Sequence, residues 1–444
     1  MKSDPVEMFG YYLQLGVRSL RRMPVVTLLM ILAIGFGVAA SMTSYAVFRA
    51  VSGNPIPWKS SQLYAPQIDN WDPRTLGPGA EPPDLMDYQD AMALMDARTA
   101  ARQTATYPVS FSVIPNGVIS KPFNISGYAT YADFFPMFDV PFQYGGGWGE
   151  TDDRGRAATI VISSKLNQTM FGGANSIGRD IVLNDHAFRI VGVLQNWNPK
   201  PRFYDAANTN GFGSEGPDFF IPFTRAMDLH LETKGANACN GQGGVGWDGW
   251  LRSQCVWISF WVQLPDAAVL QRYRSFLEGY SAQQQRAGRF NWPPNIRLRN
   301  LVQWLDFEKV VPPETKVSLL VSFAFLVVCL VNTVGLLLAK FMRRAGEVGL
   351  RRALGASRRD IYTQFLAEAG IIGVAGGIVG LLLTVLGMAS LGQVFQPDIA
   401  HLAQMNIGLV VLTLLVAIVA TVIAAFYPTW RAARVQPAWQ LKSN

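Results

Sequence analysis

Cys239 and Cys255 are the residues whose type and spacing most plainly allow a covalent step in this 444-residue sequence. They bracket a glycine-rich stretch, NACNGQGGVGWDGWLRSQC. In an oxidising compartment they would close it with a disulfide, worth roughly 3 kcal/mol in the chain-entropy description. Two unpaired thiols are the alternative. The second group is ionic: Lys340, Arg343, Arg344, Arg351, Arg352, Arg358 and Arg359 surround the turn Leu354-Gly355-Ala356-Ser357. A few such charges suffice to set membrane topology, so a run this dense points beyond topology to the docking of a partner.

Catalytic patterns do not occur. No Gly is followed by Lys, which excludes a G-x-x-x-x-G-K-[ST] phosphate cradle. Neither a G-x-S-x-G nucleophile turn nor an H-E-x-x-H zinc helix is present. His186, His230 and His401 are isolated and read as structural or surface residues, and the Asp152/Asp153 pair reads as a solvated turn. Three Cys and three His exclude a disulfide-dense scaffold and a Cys/His metal array. The chain is expected to hold no catalytic residue, metal or cofactor.

The elements that position these groups are membrane helices. Half of the sequence is hydrophobic and only 16% is charged, against about 25% in soluble domains. Pro24–Phe48, Val317–Ala339, Ala369–Leu391 and Ile407–Tyr427 lack Lys, Arg, Asp and Glu. Each is long enough to cross about 30 Å of hydrocarbon, which takes about 20 helical residues. The first run is too long for a signal-peptide core and no A-x-A site follows, so it reads as a retained anchor. Lys and Arg concentrate before span one, in 340–367 and after span four, and are absent from 392–406. By the positive-inside rule both termini and 340–367 face the cytoplasm and 51–315 lies outside.

The expected organisation is therefore a cytoplasmic amphipathic helix over 1–23, spans over 24–50, 316–339, 368–391 and 407–428, an outside domain over 51–315, a cytoplasmic segment over 340–367, a short outside loop over 392–406 and a cytoplasmic tail over 429–444. In Tyr11–Arg22, Leu13, Val17 and Leu20 share a face, as in a helix lying on anionic lipid. The outside domain reads as mixed α/β. Strand-like runs are Thr159–Ile162, Phe188–Leu194, Val256–Leu264 and Ile296–Val302. A helix is expected over Pro265–Gln285, where Leu270, Tyr273, Phe276, Leu277 and Tyr280 recur at helical spacing and Asp266 stands near the start. Strand, helix and strand over 256–302 form half of a split-βαβ unit. The other half falls in 60–115, with a helix over Pro83–Ala97, a strand over Tyr107–Ile114 and a lobe inserted at about 125–255.

Inside the membrane the readings concern packing. Gly373-x-x-x-Gly377, Gly376-x-x-x-Gly380 and Gly35-x-x-x-Ala39 let neighbouring helices approach closely. Asn332 and Thr333 read as interhelical hydrogen-bonding residues, and Cys329 as a small packing residue.

Gly346–Ile361, GEVGLRRALGASRRDI, resembles the signature following the second membrane helix of the MacB/FtsX permease superfamily. Pro428–Ala438, PTWRAARVQPA, is similar to its closing motif. Gly127–Val193 resembles the MacB-like periplasmic core at Phe134-Phe135, at Leu166–Gly173 with its Phe171-Gly172-Gly173, at Ile177-Gly178 and at Ile190-Val191-Gly192-Val193. The resemblance implies a permease of a mechanotransmission-type ABC transporter in a bacterial inner membrane, with four membrane helices in one-plus-three order. It implies a mixed α/β periplasmic domain with Porter-like and inserted subdomains, and two permeases working with two ATPase subunits. Residues 343–361 would form the coupling element. Glu347, Arg351 and Arg352 would make its polar contacts, with Arg343, Arg344, Arg358 and Arg359 around them and Leu350 and Leu354 packing. Full-length MacB carries its ATPase ahead of the first span, where this sequence has 23 residues. ATP and Mg are therefore expected on a separate chain.

The second permease would be an identical or a similar chain. Export of peptides, antibiotics or other amphiphiles is the first functional expectation, with a periplasmic adaptor and an outer-membrane duct as further candidate partners. Lipoprotein extraction and regulation of a cell-wall hydrolase are the alternatives, and a membrane-anchored receptor is a non-transporter reading. Nucleic acid is excluded by where the charge sits. The net charge of +7 comes from segments assigned to the cytoplasm, whereas 51–315 holds 22 Lys/Arg against 25 Asp/Glu.

Overall fold

The computed structural model describes residues 23–71, 80–113, 122–209, 211, 215–241, 243–394 and 407–433. The amphipathic stretch expected over 1–23, apart from Met23, together with His401, nearly all of the loop 392–406 and the tail beyond residue 433, lies outside them. The chain divides into two compact units, 53–310 and a second made of residues up to 52 with those from 311. They are joined in sequence at Ser52–Gly53 and Val310–Val311.

In the unit 53–310, strands β1 (Leu63–Ile68), β2 (Arg102–Val113), β3 (Phe123–Thr130), β4 (Phe142–Gly145), β5 (Thr159–Ile162), β6 (Asp180–Leu183), β7 (His186–Leu194), β8 (Phe219–Pro222), β11 (Ser259–Gln263) and β12 (Ile296–Asn300) make one sheet in the order β12-β1-β11-β2-β3-β8-β5-β7-β4, with β6 on β7. β9 (Ala238–Cys239) and β10 (Cys255–Val256) form a separate pair. The order β12-β1-β11-β2 is the split-βαβ arrangement, with β1 antiparallel to both neighbours. β2 serves both halves of the sheet. Its Arg102–Thr106 segment pairs with β11 and its Thr106–Val113 segment with β3. The inserted lobe thus extends the sheet of the split-βαβ half.

Helix α1 (Pro24–Val51) belongs to the other unit, and α2 (Tyr88–Ala97) covers the sheet of this one. The short helices α3 (Phe134–Met137) and α4 (Glu150–Arg154), with α5 (Ser164–Phe171), lie in the inserted lobe; α6 (Ala267–Arg286) and α7 (Leu301–Phe307) follow β11 and β12. α2 begins at Asp87, which accepts the Asp90 amide at 2.7 Å, later than the expected Pro83. α6 begins at Asp266, which accepts from the Val269 amide at 2.8 Å. Ala91 and Leu94 of α2 and Tyr273 and Leu277 of α6 share a core with Tyr107, Trp257 and Val262. Arg289 ties these helices together by pairing with Asp87 and Asp90, and Tyr280 donates to Asp90 at 2.6 Å. Burial, with Asp87 alongside, pushes the Asp90 carboxyl up to about 6.

Three local expectations are corrected. The run Ile296–Val302 is strand only to Asn300. There Asn300 and Gln303 form a reciprocal capping box, which starts α7 and overrides the β-branched composition. The run Val256–Leu264 is split, because Cys255 and Val256 pair with β9 while Ser259 begins β11. Asp153 does not sit in a solvated turn. Asp152 caps α4 from outside through the Gly149 amide, but Asp153 is 4% exposed and accepts from the Ala132 amide and Trp148 Nε1 at 2.8 and 2.9 Å.

In the other unit, α1 packs with α8 (Pro313–Met342), α10 (Arg358–Val394) and α11 (Ile407–Ala433), and the short α9 (Ala345–Ala353) lies between α8 and α10 in sequence. α1, α8, α10 and α11 are long and apolar enough to cross a membrane. A Cβ on Gly35 would stand 2.8 Å from Val379, and one on Gly376 the same distance from Ile34, so α1 and α10 cross with glycine on both sides. Gly380 faces the Gly35 carbonyl; Gly373 and Gly377 face Ile418 and Ala417 of α11. Ala39 is buried in α1.

Among the described residues, Asn332 and Thr333 do not link helices. Thr333 donates to the Cys329 carbonyl of its own helix at 2.8 Å, and Asn332 is exposed. Thr333 satisfies its hydroxyl locally, as Ser and Thr do in apolar helices. Polar links between α1 and α8 are instead Ser41, which donates to the Ser322 carbonyl at 3.0 Å, and Lys340 Nζ, which donates to Thr27 Oγ1 at 3.4 Å.

Candidate functional site

The basic segment is built from the end of α8, the whole of α9 and the start of α10. The break between α9 and α10 requires Gly355, whose φ of +102° lies where side chains are strained. α10 then starts on a local cap, with Ser357 Oγ 2.7 Å from Asp360 Oδ2 and the Ser357 amide donating to the same carboxylate at 2.9 Å. α10 therefore begins well before the apolar run at Ala369.

Charges run in a ladder along these helices. Lys340 Nζ lies 2.6 Å from Glu368 Oε1, and both side chains are 1% exposed. Arg344 Nη1 lies 3.0 Å from the other Glu368 oxygen, and its Nε 3.3 Å from Glu347. Glu347 in turn meets Arg351 at 2.8 Å, and Arg351 donates to Gln364 at 2.9 Å. Beside the ladder, the Phe341 and Phe365 rings stack with centroids 4.2 Å apart. α9 is thus held to α10 by the Arg344–Glu368 ion pair at its start and by the Arg351–Gln364 hydrogen bond, while Glu368 also pairs with Lys340 of α8. Removing one partner from a buried pair costs about 3–5 kcal/mol, because the other charge is left uncompensated.

The structure separates the expected coupling residues into two sets. Glu347, Arg344 and Arg351 are engaged within the bundle. Leu350 and Leu354, at 62% and 80% exposed, stand outermost with Arg343, Arg358 and Arg359; Arg352 is half-buried. Ala345, Val348 and Gly349 form the inward face of α9. Sequence reasoning missed Lys340 as a ladder residue, along with Glu368, Gln364 and Phe365. The one available signal was a lysine and a glutamate standing at the ends of two apolar runs.

Residues 27–276 match the model of the MacB-like periplasmic core domain, and residues 319–437 that of the FtsX-like permease C-terminal region. The chain belongs to the MacB/FtsX-type permease family. Relatives of this permease include the pyoverdine export ATP-binding/permease protein PvdT of Pseudomonas syringae pv. tomato, 27% identical over 70% of this chain and 42% of that protein. The macrolide export ATP-binding/permease protein MacB of Wolinella succinogenes is 24% identical over 71% of this chain and 43% of its own length. The chain thus spans less than half the length of these curated relatives. Among solved structures, the periplasmic region of MacB from Actinobacillus actinomycetemcomitans aligns over 56% of this chain and 94% of that one, at 12% identity and a TM-score of 0.34.

The permease is a multi-pass membrane protein of the ABC transporter class, with a mixed α/β domain between its first two membrane helices. Cys239 and Cys255 are joined as a disulfide across β9 and β10. Among the described residues there is no His/Cys/Asp/Glu group able to hold a metal. His186 is exposed, and His230 stacks on Trp247 at 5.3 Å.

Proposed function

We propose that this chain is the membrane subunit of an exporter that couples ATP hydrolysis on a separate ATPase chain to motion of residues 53–310. In this reading ATP and Mg bind the ATPase, both termini and the 340–367 segment face the cytoplasm, and residues 51–315 face the periplasm. The observation that carries it is the pairing of an outward apolar edge, Leu350 and Leu354, with an inward ion ladder on one short helix. A helix free to slide would dissipate a push. One continuous in sequence with α8 and held to α10 by Arg344–Glu368 and Arg351–Gln364 passes displacement to the spanning helices.

α1 and α8 continue in sequence into residues 53–310, so their displacement would reach that domain. Export of peptides, antibiotics or other amphiphiles fits relatives whose names specify pyoverdine and macrolide export. The active unit would contain a second permease, identical or similar, with an adaptor and outer-membrane duct completing the path.

The test is ATPase activity of the assembled complex. Reversing charge with Arg351→Glu and Arg352→Glu should lower permease-dependent ATP hydrolysis several-fold, while the Cys239–Cys255 domain stays folded. Unchanged hydrolysis refutes the coupling role.

A further inference from the structure

The unit 53–310 opens a cavity of about 980 Å³ between the end of α2, the α3 segment and the β4–α4 connection. That is the size of a small-molecule site. Its apolar wall is aromatic, formed by Tyr131, Phe135, Phe142 and Trp148, with the Phe135 and Trp148 rings edge to face at 4.8 Å.

Its polar wall is acidic. Arg98 and Arg154 both stand against Glu150, and Asp139 is paired with Lys59. Asp133 and Asp153 also line the cavity, and among the described residues neither has a basic side chain at ion-pair distance. Asp133 accepts from the Gln103 amide at 3.2 Å, and Asp153 accepts from the amide of Ala132, the residue before Asp133.

Gln103 is 5% exposed and lines the same cavity. Its Nε2 donates to the Leu94 and Met95 carbonyls at 3.0 and 2.6 Å, and its Oε1 has no hydrogen-bond partner. Gln103 Oε1 is itself covered, so Asp133 and Asp153, without cations of their own, are the acceptors this wall offers.

We propose that this cavity binds an amine- or guanidine-bearing molecule with a flat apolar body. Its N–H groups are donated to Asp133 and Asp153, and its body lies against Phe135 and Trp148. Aromatic faces favour a cation as well as an apolar surface, so both walls select the same chemistry. The proposal deepens the transport reading by naming a substrate class. It is read by binding alone, so it can fail while ATPase coupling stands, and stand while coupling fails.

The test uses the full chain in nanodiscs of neutral lipid at about pH 8, with empty nanodiscs subtracted. Three probes share one aromatic body: 1-naphthylmethylammonium, 1-naphthylmethanol and 1-naphthoate. Titration calorimetry should show the ammonium binding about tenfold more tightly than the carboxylate, or about 1.4 kcal/mol. Asp153→Asn should weaken the ammonium about fivefold. Arg98→Gln, which removes a competing cation at the rim, should tighten it about two- to threefold, a gain that misfolding cannot produce. Equal affinity for the three probes overturns the proposal, as does ammonium binding that neither substitution changes.

Discussion

Lys340 and Glu368 face one another at 2.6 Å, on different spanning helices and both out of solvent. Glu368 also receives Arg344 at 3.0 Å. The pair therefore anchors α8 to α10 at the level where α9 departs, and α9 inherits its position from that anchor. Lys340→Met or Glu368→Gln alone should destabilise the membrane unit by about 3–5 kcal/mol, because each strands a buried charge. The double variant should lose less than the sum of the two. Thermal unfolding of the four proteins in detergent checks this, and strictly additive losses would show that the two charges do not interact.

Glycine at the α1–α10 crossing is a matter of space. Gly35→Ala puts a methyl 2.8 Å from Val379, so the helices must part and stability should fall by about 1–3 kcal/mol. Gly335 of α8 has nothing within 4 Å of the same added atom. Gly335→Ala should be neutral or stabilising by up to about 1 kcal/mol. Equal effects at the two positions would dismiss close packing as the reason.

The disulfide restricts the exposed loop between β9 and β10. Maleimide labelling of the unfolded, unreduced chain should modify Cys329 alone, and reduction should raise the count to three. Losing the bridge through Cys239→Ser and Cys255→Ser together should cost roughly 3 kcal/mol. Three reactive thiols before reduction would contradict the pairing.

Asp153 makes stability depend on pH. Burial pushes its carboxyl up to about 7, against the opposing pull of the Ala132 amide and Trp148. Its native form holds a proton more tightly than the unfolded chain does. Its contribution is therefore full below the unfolded value near 3.8 and is lost as pH rises through about 7. Asp153→Asn should flatten the decline between about pH 5 and 8, by about 2–4 kcal/mol. Tryptophan-detected unfolding of both proteins isolates this residue from Asp90 and Asp205, which burial also raises. Parallel pH profiles would refute the assignment.

The membrane helices and the split-βαβ half were legible because each depends on a local pattern. Long uncharged runs mark α1, α8, α10 and α11, and helical spacing from Leu270 to Tyr280 marks α6. What escaped depends on distant partners. Asp152 and Asp153 are adjacent in sequence, yet one faces water and the other is covered by Trp148 and the Ala132 amide. Lys340 and Glu368 each resemble an ordinary charged flank, and only the crossing of α8 and α10 makes them a pair. The basic cluster was visible as a functional segment. Its division into ladder residues and outward leucines was not, because both lie within one helical turn of each other on α9.

The most direct measurement is co-purification of the tagged full chain from its native membranes, with identification of any P-loop ATPase retained and assay of ATP hydrolysis. The account predicts a stoichiometric ATPase with the unaltered chain. It also predicts loss of that ATPase with Leu350→Asp and Leu354→Asp, exposed changes that leave the Lys340–Glu368 anchor and the thermal unfolding of the chain intact. An unaltered chain that carries no ATPase, or equal retention by the leucine variant, would contradict it.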